Sequence, residues 1–228
     1  MNMQMTKIIK QISCCLVLAL GMASCSETDG TWDPYTNWQA RNAAWYEQVS
    51  DSARTAIAQA KAQYGEDWEA HCEWRRFKTL QKSADYDTQQ ATDSVCVHIL
   101  KKGTREGALM PHYSDTIRAS YRLFLMPTQY EGADGALYTQ QKVADQTYYG
   151  DYDAQVAAPA VLAVASTVEG FSTALQYMVP GDEWLVYIPQ QMAYGSKAQT
   201  TIPAYSTLQF HLCLHAVYRA GSGVPGWK

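Results

Sequence analysis

The sequence predicts an α+β fold in which a twisted antiparallel β-sheet wraps around one short helix, with a helical appendage before it. Apolar residues recur at helical spacing between residues 38 and 64 and alternate with a period of two in most segments after Ser94. One short helical pattern, residues 168–178, interrupts these strands. A run of strands with a single helix is typical of an antiparallel sheet packed on that helix.

The N-terminus has the pattern of an export signal. Lys7 and Lys10 precede an apolar stretch, residues 12–20, that is far shorter than the roughly 20 residues needed to span a bilayer. Small residues then lead to Cys25 in the tetrad Met-Ala-Ser-Cys, which resembles a bacterial lipoprotein signal in which the cysteine becomes the lipidated first residue. We therefore expect residues 1–24 to be removed and Cys25 to carry the lipid anchor. An ordinary secretory signal cleaved elsewhere is the alternative.

The composition of the mature chain argues against several classes of function. Once Lys7 and Lys10 leave with the signal, 16 of the 18 basic residues remain against 22 acidic ones, a net charge of −6. Nucleic-acid binding needs a basic surface, so we expect none. The sequence has no phosphate-binding loop, dinucleotide fingerprint or paired-cysteine zinc motif, and we expect no cofactor and no metal. Cys72, Cys96 and Cys213 remain, an odd number that allows at most one disulfide.

A long helix is predicted after a short polar tether. Thr36 and Gln39 have the spacing of a capping box, and Gly65 can end the helix. Its apolar residues share one face: Trp38, Trp45, Val49, Ala53, Ile57, Ala60 and Tyr64. This face packs either on the chain's own domain or on a second copy of the chain, so a homodimer through the helix stays open. Residues 25–93 are therefore predicted as tether and helical region, with a polar linker from Ser83.

Residues 94–220 are predicted as a separate domain dominated by strands. Val95, Val97 and Ile99 alternate with other residues in the first strand, and an earlier segment, residues 74–78, is interpreted as a short strand or helix. Later strands are predicted at residues 117–125, from 137, at 161–165, at 184–188 and at 207–218. The polar stretch from Thr139 to Ala157 is predicted as a long loop, and loops of this length are usually functional or disordered.

Three ordered motifs in this domain resemble those of the FKBP-type peptidyl-prolyl cis-trans isomerases. Residues 170–178, Gly-Phe-Ser-Thr-Ala-Leu-Gln-Tyr-Met, resemble the family's Gly-Trp-x-x-Gly-Leu-x-x-Met helix, and Pro-Gly-Asp at 180–182 resembles its turn. Residues 188–195, Ile-Pro-Gln-Gln-Met-Ala-Tyr-Gly, are similar to the family's Ile-Pro-x-x-Leu-Ala-Tyr-Gly run. Residues 202–210 are similar to the run that enters the last strand. The resemblance leaves the N-terminal helix outside.

The resemblance implies an FKBP-like fold with an apolar pocket between sheet and helix. Phe171 would form the pocket floor, where the family usually has Trp, and the walls would be Tyr121, Tyr138, Ile202 and Phe210. The Val168 backbone amide and the Tyr194 hydroxyl would each bind a substrate carbonyl. The family's Phe-Asp-Ser run aligns with residues 138–140, so Thr139 stands where the acid of the site is expected.

The resemblance also implies a function. We expect a peptidyl-prolyl isomerase that binds proline-containing polypeptide chains and assists the folding of exported proteins. Its expected location is the cell envelope, anchored to a membrane through the lipidated N-terminus, with the outer membrane and its periplasmic or surface face preferred. Because Thr139 replaces the acid, the alternative is a catalytically impaired FKBP-fold module that binds a peptide or a partner. A surface subunit that binds a glycan or a partner is a third candidate.

One further group of residues can bind a metal in other contexts. His211, Cys213 and His215 lie on one face of the last predicted strand, and their side chains suit zinc or copper. Their spacing along a strand is wide for three ligands of one ion. We therefore interpret them as the outer face of the sheet.

Overall fold

The computed structural model describes residues 33–81 and 91–227, and from Pro34 onward these form one compact unit. The predicted signal, Cys25 and most of the predicted linker lie outside the described residues. Within the described ranges, no helix is both long and apolar enough to cross a bilayer.

The described residues contain three α-helices and nine strands. The helices are α1 (Trp38–Tyr64), α2 (Trp68–His71) and α3 (Glu169–Leu175). The strands are β1 (Trp74–Lys78), β2 (Ser94–Lys101), β3 (Thr116–Phe124), β4 (Thr128–Glu131), β5 (Leu137–Gln140), β6 (Val143–Gln146), β7 (Ala160–Ala163), β8 (Glu183–Ile188) and β9 (Leu208–Tyr218).

The strands form one main antiparallel sheet. Its order is β1-β2-β8-β9-β3-β6, and β7 also pairs with β3. The core lies where α3 packs on one face of this sheet, with Phe171 and Leu175 among the apolar residues of β2, β8 and β9. Helix α1 covers the opposite face, where Tyr46 and Ala53 pack with Cys96. The predicted fold class, an antiparallel sheet on one short helix with an N-terminal helix, is confirmed.

Helix α1 ends as predicted but begins differently. Gly65 follows it with a φ of 56°, and its N–H donates to the Lys61 carbonyl. At the other end, Asn37 is the capping residue and makes no side-chain cap, so the predicted capping box is wrong. The buried face is rotated from the predicted one and consists of Trp38, Asn42, Tyr46, Ser50, Ala53 and Ala60.

Specific hydrogen bonds join α1 to the segment that enters β9. Trp38 Nε1 donates to Ser206 Oγ at 2.9 Å, and the Thr207 N–H donates to Asn42 Oδ1 at 2.8 Å. The Tyr46 hydroxyl donates to the Ser94 carbonyl at the start of β2. The helix therefore uses its buried face within its own chain, and a homodimer through it stays a prediction.

The region between β3 and β6 contains a hairpin of its own. Among the described strands, β4 and β5 pair only with each other, around a turn in which Gly135 has a φ of 76°. The predicted loop from Thr139 also contains β6, which joins the main sheet beside β3. Because β1 pairs with β2, the main sheet begins at Trp74, while the domain boundary between residues 93 and 94 stays a prediction.

We expect Asn42→Ala to destabilise the protein. Asn42 is fully buried, and the change leaves the Thr207 N–H without its acceptor. An unsatisfied buried donor costs about 1–3 kcal/mol, measurable as a lower free energy of unfolding in urea. Gln48→Ala, on the exposed side of the same helix, should change that free energy by no more than about 0.5 kcal/mol. Equal effects of the two substitutions would contradict a structural role for α1.

Candidate functional site

Three aromatic side chains meet where α3 faces the sheet. Phe171 comes from α3, Tyr121 from β3 and Phe210 from β9. The ring centroids of Phe171 and Phe210 are 4.8 Å apart, and Tyr121 stands 5.9 Å from Phe210 and 6.1 Å from Phe171, all edge-to-face. The rings border a cavity of about 310 Å³, which Leu123, Leu162 and Val168 also line. The cavity is therefore mostly apolar.

The close packing of α3 on the sheet depends on Gly170. A Cβ at this position would meet Cγ2 of Ile188 on β8 at 2.2 Å, so a larger residue would push the helix away. The next residue, Phe171, is only 3% exposed. Gly170 therefore allows the Phe171 ring to reach the sheet and form the cavity floor.

Polar groups lie at the edge of this apolar cavity. The Tyr121 hydroxyl donates to Asp145 Oδ2 at 2.8 Å, and Asp145 lies on β6. Burial, reinforced by Asp145, raises the pKa of the Tyr121 phenol, so it stays a protonated donor at neutral pH. Burial and the Asp145 charge also raise the pKa of Tyr194, which lines the same cavity.

Two further groups at the cavity are free to bind a ligand. Within the described part of the chain, no hydrogen bond is formed by the Tyr194 hydroxyl or the Val168 N–H. The Val168 carbonyl, in contrast, accepts a hydrogen bond from the Ser172 N–H in α3. The amide and the hydroxyl are therefore available to bind carbonyl groups of a peptide.

Most of the predicted site residues are brought together. Five of them line the cavity: Tyr121, Val168, Phe171, Tyr194 and Phe210. Ile202 is buried in the same core cluster but does not line the cavity. The structure therefore does not place Ile202 in the cavity wall that the resemblance implies.

Tyr138 and Thr139 need a correction, because they lie outside the cavity. Both are exposed on β5, and the Tyr138 hydroxyl donates to Asp134 Oδ2 at 2.6 Å within the hairpin. The β4–β5 hairpin occupies the stretch that was aligned with the family's acid, and the strand that returns to the sheet is β6. Asp145 therefore stands where Thr139 was expected. Strand β6 has only four residues, which is too short for an alternation of period two to be recognised in the sequence. The sequence analysis therefore did not predict β6 or the role of Asp145.

A larger groove of about 700 Å³ lies between the end of α1 and strands β1 and β2. Its lining is rich in polar and charged side chains, including His71, Glu73, His98 and Lys102. A site that favours the less polar, twisted form of a bound peptide bond needs apolar walls. The smaller aromatic cavity meets this requirement better than the polar groove.

The part of the chain that contains the aromatic cavity is similar to an FKBP-type domain. Residues 111–215 match the family model of FKBP-type peptidyl-prolyl cis-trans isomerases. Over 57 residues the chain is 39% identical to a macrophage infectivity potentiator of Trypanosoma cruzi, which covers 25% of this chain and 29% of that protein. Over 137 residues it is 30% identical to the FKBP-type 22 kDa peptidyl-prolyl cis-trans isomerase of Escherichia coli (strain K12), covering 59% of this chain and 56% of that one. The chain thus spans less than two thirds of either relative.

Two solved structures show a weaker similarity to this chain. A peptidyl-prolyl cis-trans isomerase from Pseudomonas syringae pv. tomato is 22% identical, with a TM-score of 0.43, and the match covers 76% of this chain and 96% of that one. FkpA from Escherichia coli is 18% identical, also with a TM-score of 0.43, and the match covers 96% of this chain and 84% of that one.

We expect Phe171→Ala to lower the free energy of unfolding by about 3–5 kcal/mol, because it removes a buried ring and leaves a void under the cavity. Urea denaturation measures the change. Phe124→Ala, which truncates a half-buried ring outside the cavity lining, serves as the control and should cost less. A smaller loss for Phe171→Ala than for Phe124→Ala would contradict the placement of Phe171 in the core.

Proposed function

We propose that this protein is a peptidyl-prolyl cis-trans isomerase that acts on proline-containing polypeptide chains. The observation that carries the proposal is the aromatic cavity with Asp145, Tyr194 and the Val168 amide at its edge. The match of residues 111–215 to the FKBP-type family supports it independently.

The chemistry needs no nucleophile. The barrier to rotation about the X–Pro bond is amide resonance, of about 18–20 kcal/mol. When the bond twists, the nitrogen lone pair leaves the carbonyl, the amide becomes less polar and its oxygen needs water less. A proline ring seated among Tyr121, Phe171 and Phe210 has its amide removed from water, which favours the twisted transition state over the planar ground state.

The polar groups position the peptide around the reacting bond. The Val168 N–H and the Tyr194 hydroxyl can each donate a hydrogen bond to a peptide carbonyl. Two such bonds would fix the bound peptide across the cavity. The Asp145 carboxylate holds the Tyr121 hydroxyl and presents a negative charge at the cavity edge. Such a charge interacts differently with a planar and a twisted amide, so Asp145 is the residue most able to affect the rate.

The alternative function is a catalytically impaired binding module, which the sequence suggests because Thr139 aligns with the family's acid. Asp145 supplies an acid at the cavity, which removes the main reason for that hypothesis. The two functions still differ in one measurable property, the turnover of a proline-containing peptide.

We further propose that the protein is anchored to a membrane of the cell envelope through Cys25 and assists the folding of exported proteins there. The Met-Ala-Ser-Cys tetrad after a short apolar stretch supports the anchor. A tether between Cys25 and α1 would let the folded unit reach chains that emerge at the membrane.

Asp145→Asn should lower kcat/KM for cis-to-trans conversion of a proline-containing peptide. The change removes the charge but keeps the shape of the side chain. A charged hydrogen bond contributes about 1.5–3 kcal/mol, so the expected loss is roughly 10- to 150-fold. A coupled proteolysis assay that cleaves only the trans peptide measures the rate.

Two matched variants control this test. Asp134→Asn removes a carboxylate from the exposed hairpin, and Thr139→Asp adds one there; neither should change kcat/KM, because both positions lie outside the cavity. A gain of activity with Thr139→Asp would indicate that the acid of the site belongs at Thr139 on the β4–β5 hairpin and not at Asp145. If the folded wild type has no activity at all, the binding-module hypothesis replaces the enzyme.

Cys25→Ala should leave the protein without lipid and release it from the membrane fraction, because only the cysteine thiol can take the diacylglycerol group. Fractionation of cells and labelling with a radioactive fatty acid measure the two effects. Cys72→Ala, a buried thiol of the folded unit, is the control and should stay in the membrane fraction. Equal membrane association of the Cys25→Ala variant and the wild type would refute the anchor.

A further inference from the structure

The face of the sheet opposite the cavity carries a compact group of three polar side chains. Glu183 on β8 lies directly across from Cys213 on β9, and His211 lies two residues before Cys213 on the same strand and the same face. One carboxylate oxygen, one imidazole nitrogen and the thiol sulfur all lie within 4.8 Å of one another. We call these three residues the β8–β9 cluster.

We propose that the β8–β9 cluster is a binding site for a zinc ion. Thiolate, imidazole and carboxylate are the three ligand types that zinc takes in proteins, and sites with three protein ligands leave the fourth tetrahedral position to water. The softness of the thiolate and the imidazole disfavours magnesium and calcium, which prefer oxygen ligands alone.

The distances suit one ion after small side-chain movements. Zinc bonds of about 2.0–2.3 Å in a tetrahedron place ligand atoms about 3.3–3.8 Å apart. His211 Nε2 and Glu183 Oε1 now stand at 2.7 Å as a hydrogen-bonded pair, so an ion between them would separate them by roughly half an ångström to 1 Å. The Cys213 sulfur lies within 4.8 Å of both atoms and would have to approach them by up to roughly 1–1.5 Å.

The surroundings of His211 are those of a metal-binding imidazole. The Tyr148 hydroxyl hydrogen-bonds to His211 Nδ1, which leaves Nε2 to face Glu183. A second partner on the far nitrogen fixes ring orientation in metal sites. The Tyr148 and Tyr152 rings stand edge-on to the imidazole at 5.9 and 5.7 Å and cover it.

An ion could enter at Glu183. The Cys213 side chain is buried, whereas 24% of the Glu183 side chain is exposed. Lys101, opposite Glu183 on β2, is exposed and can turn into solvent when the carboxylate binds a cation. The cluster is therefore covered but reachable.

The cluster differs from the ladder that the sequence suggests. His215 points to another partner, since its Nε2 hydrogen-bonds to Ser120 Oγ at 2.9 Å. Glu183, from a neighbouring strand, takes the place that His215 was given in the ladder. This difference makes the proposal specific, because the two arrangements predict different variants that lose the ion.

The test measures zinc bound by the purified full chain against a chromophoric chelator. The wild-type protein is expected to retain one zinc ion. The Cys213→Ser and Glu183→Gln variants should each bind zinc at least about tenfold more weakly than the wild type. His215→Gln and Cys72→Ser are the matched controls and should retain the ion. Equal zinc binding by all five proteins, or release of all zinc from wild type to the chelator, would overturn the proposal.

A second measurement guards against a variant that merely unfolds. Cobalt added in place of zinc gives a near-ultraviolet charge-transfer band only when a thiolate binds it. The band should appear in wild type, persist in His215→Gln and disappear in Cys213→Ser, with the thermal unfolding of each metal-free protein recorded beside it. A band that survives in a folded Cys213→Ser protein would place the thiolate ligand elsewhere and reject the β8–β9 cluster.

Discussion

The contact of α3 with the sheet at Gly170 is the constraint on which the site depends. With no Cβ at Gly170, the helix approaches Ile188 closely enough for the Phe171 ring to meet Phe210 at 4.8 Å. If the helix stood farther out, the three aromatic rings would separate and water would enter between them. The apolar cavity is therefore a consequence of helix packing as much as of the residues that line it.

The acid at the cavity comes from a part of the chain that local patterns describe poorly. Asp145 reaches Tyr121 because β6 pairs with β3, and this pairing follows the β4–β5 hairpin. The hairpin lengthens the path between the two strands without changing the sheet. An inserted hairpin of this kind shifts any residue-by-residue alignment, which explains why Thr139 was given the role of the acid.

The parts of the fold with long, regular patterns were predictable from the sequence, and the short parts were not. Strand β2 was predicted from the alternation of Val95, Val97 and Ile99, and α3 from the motif around Phe171. Both patterns also indicated which residues share the buried face. The buried face of α1 was only approximately predicted, because Asn42 and Ser50 are polar residues that are nevertheless buried, Asn42 by its hydrogen bond from the Thr207 N–H. Asp145 and Glu183 carry no local pattern and reach their partners through strand pairing, and Tyr148 reaches His211 from the segment that follows β6.

The register of β9 links the two faces of the sheet. Phe210 pairs with Val186 and points into the cavity, while its neighbour His211 pairs with Leu185 and lies on the opposite face. Because side chains alternate with a period of two, a slip of one residue would put His211 among the aromatic rings and expose Phe210. The apolar core disfavours the slipped register on the inner face of the sheet. The hydrogen bonds of His211 with Glu183 and Tyr148 disfavour it on the outer face. Any ligand that strengthens the outer contacts would for this reason also hold the inner aromatic wall in place.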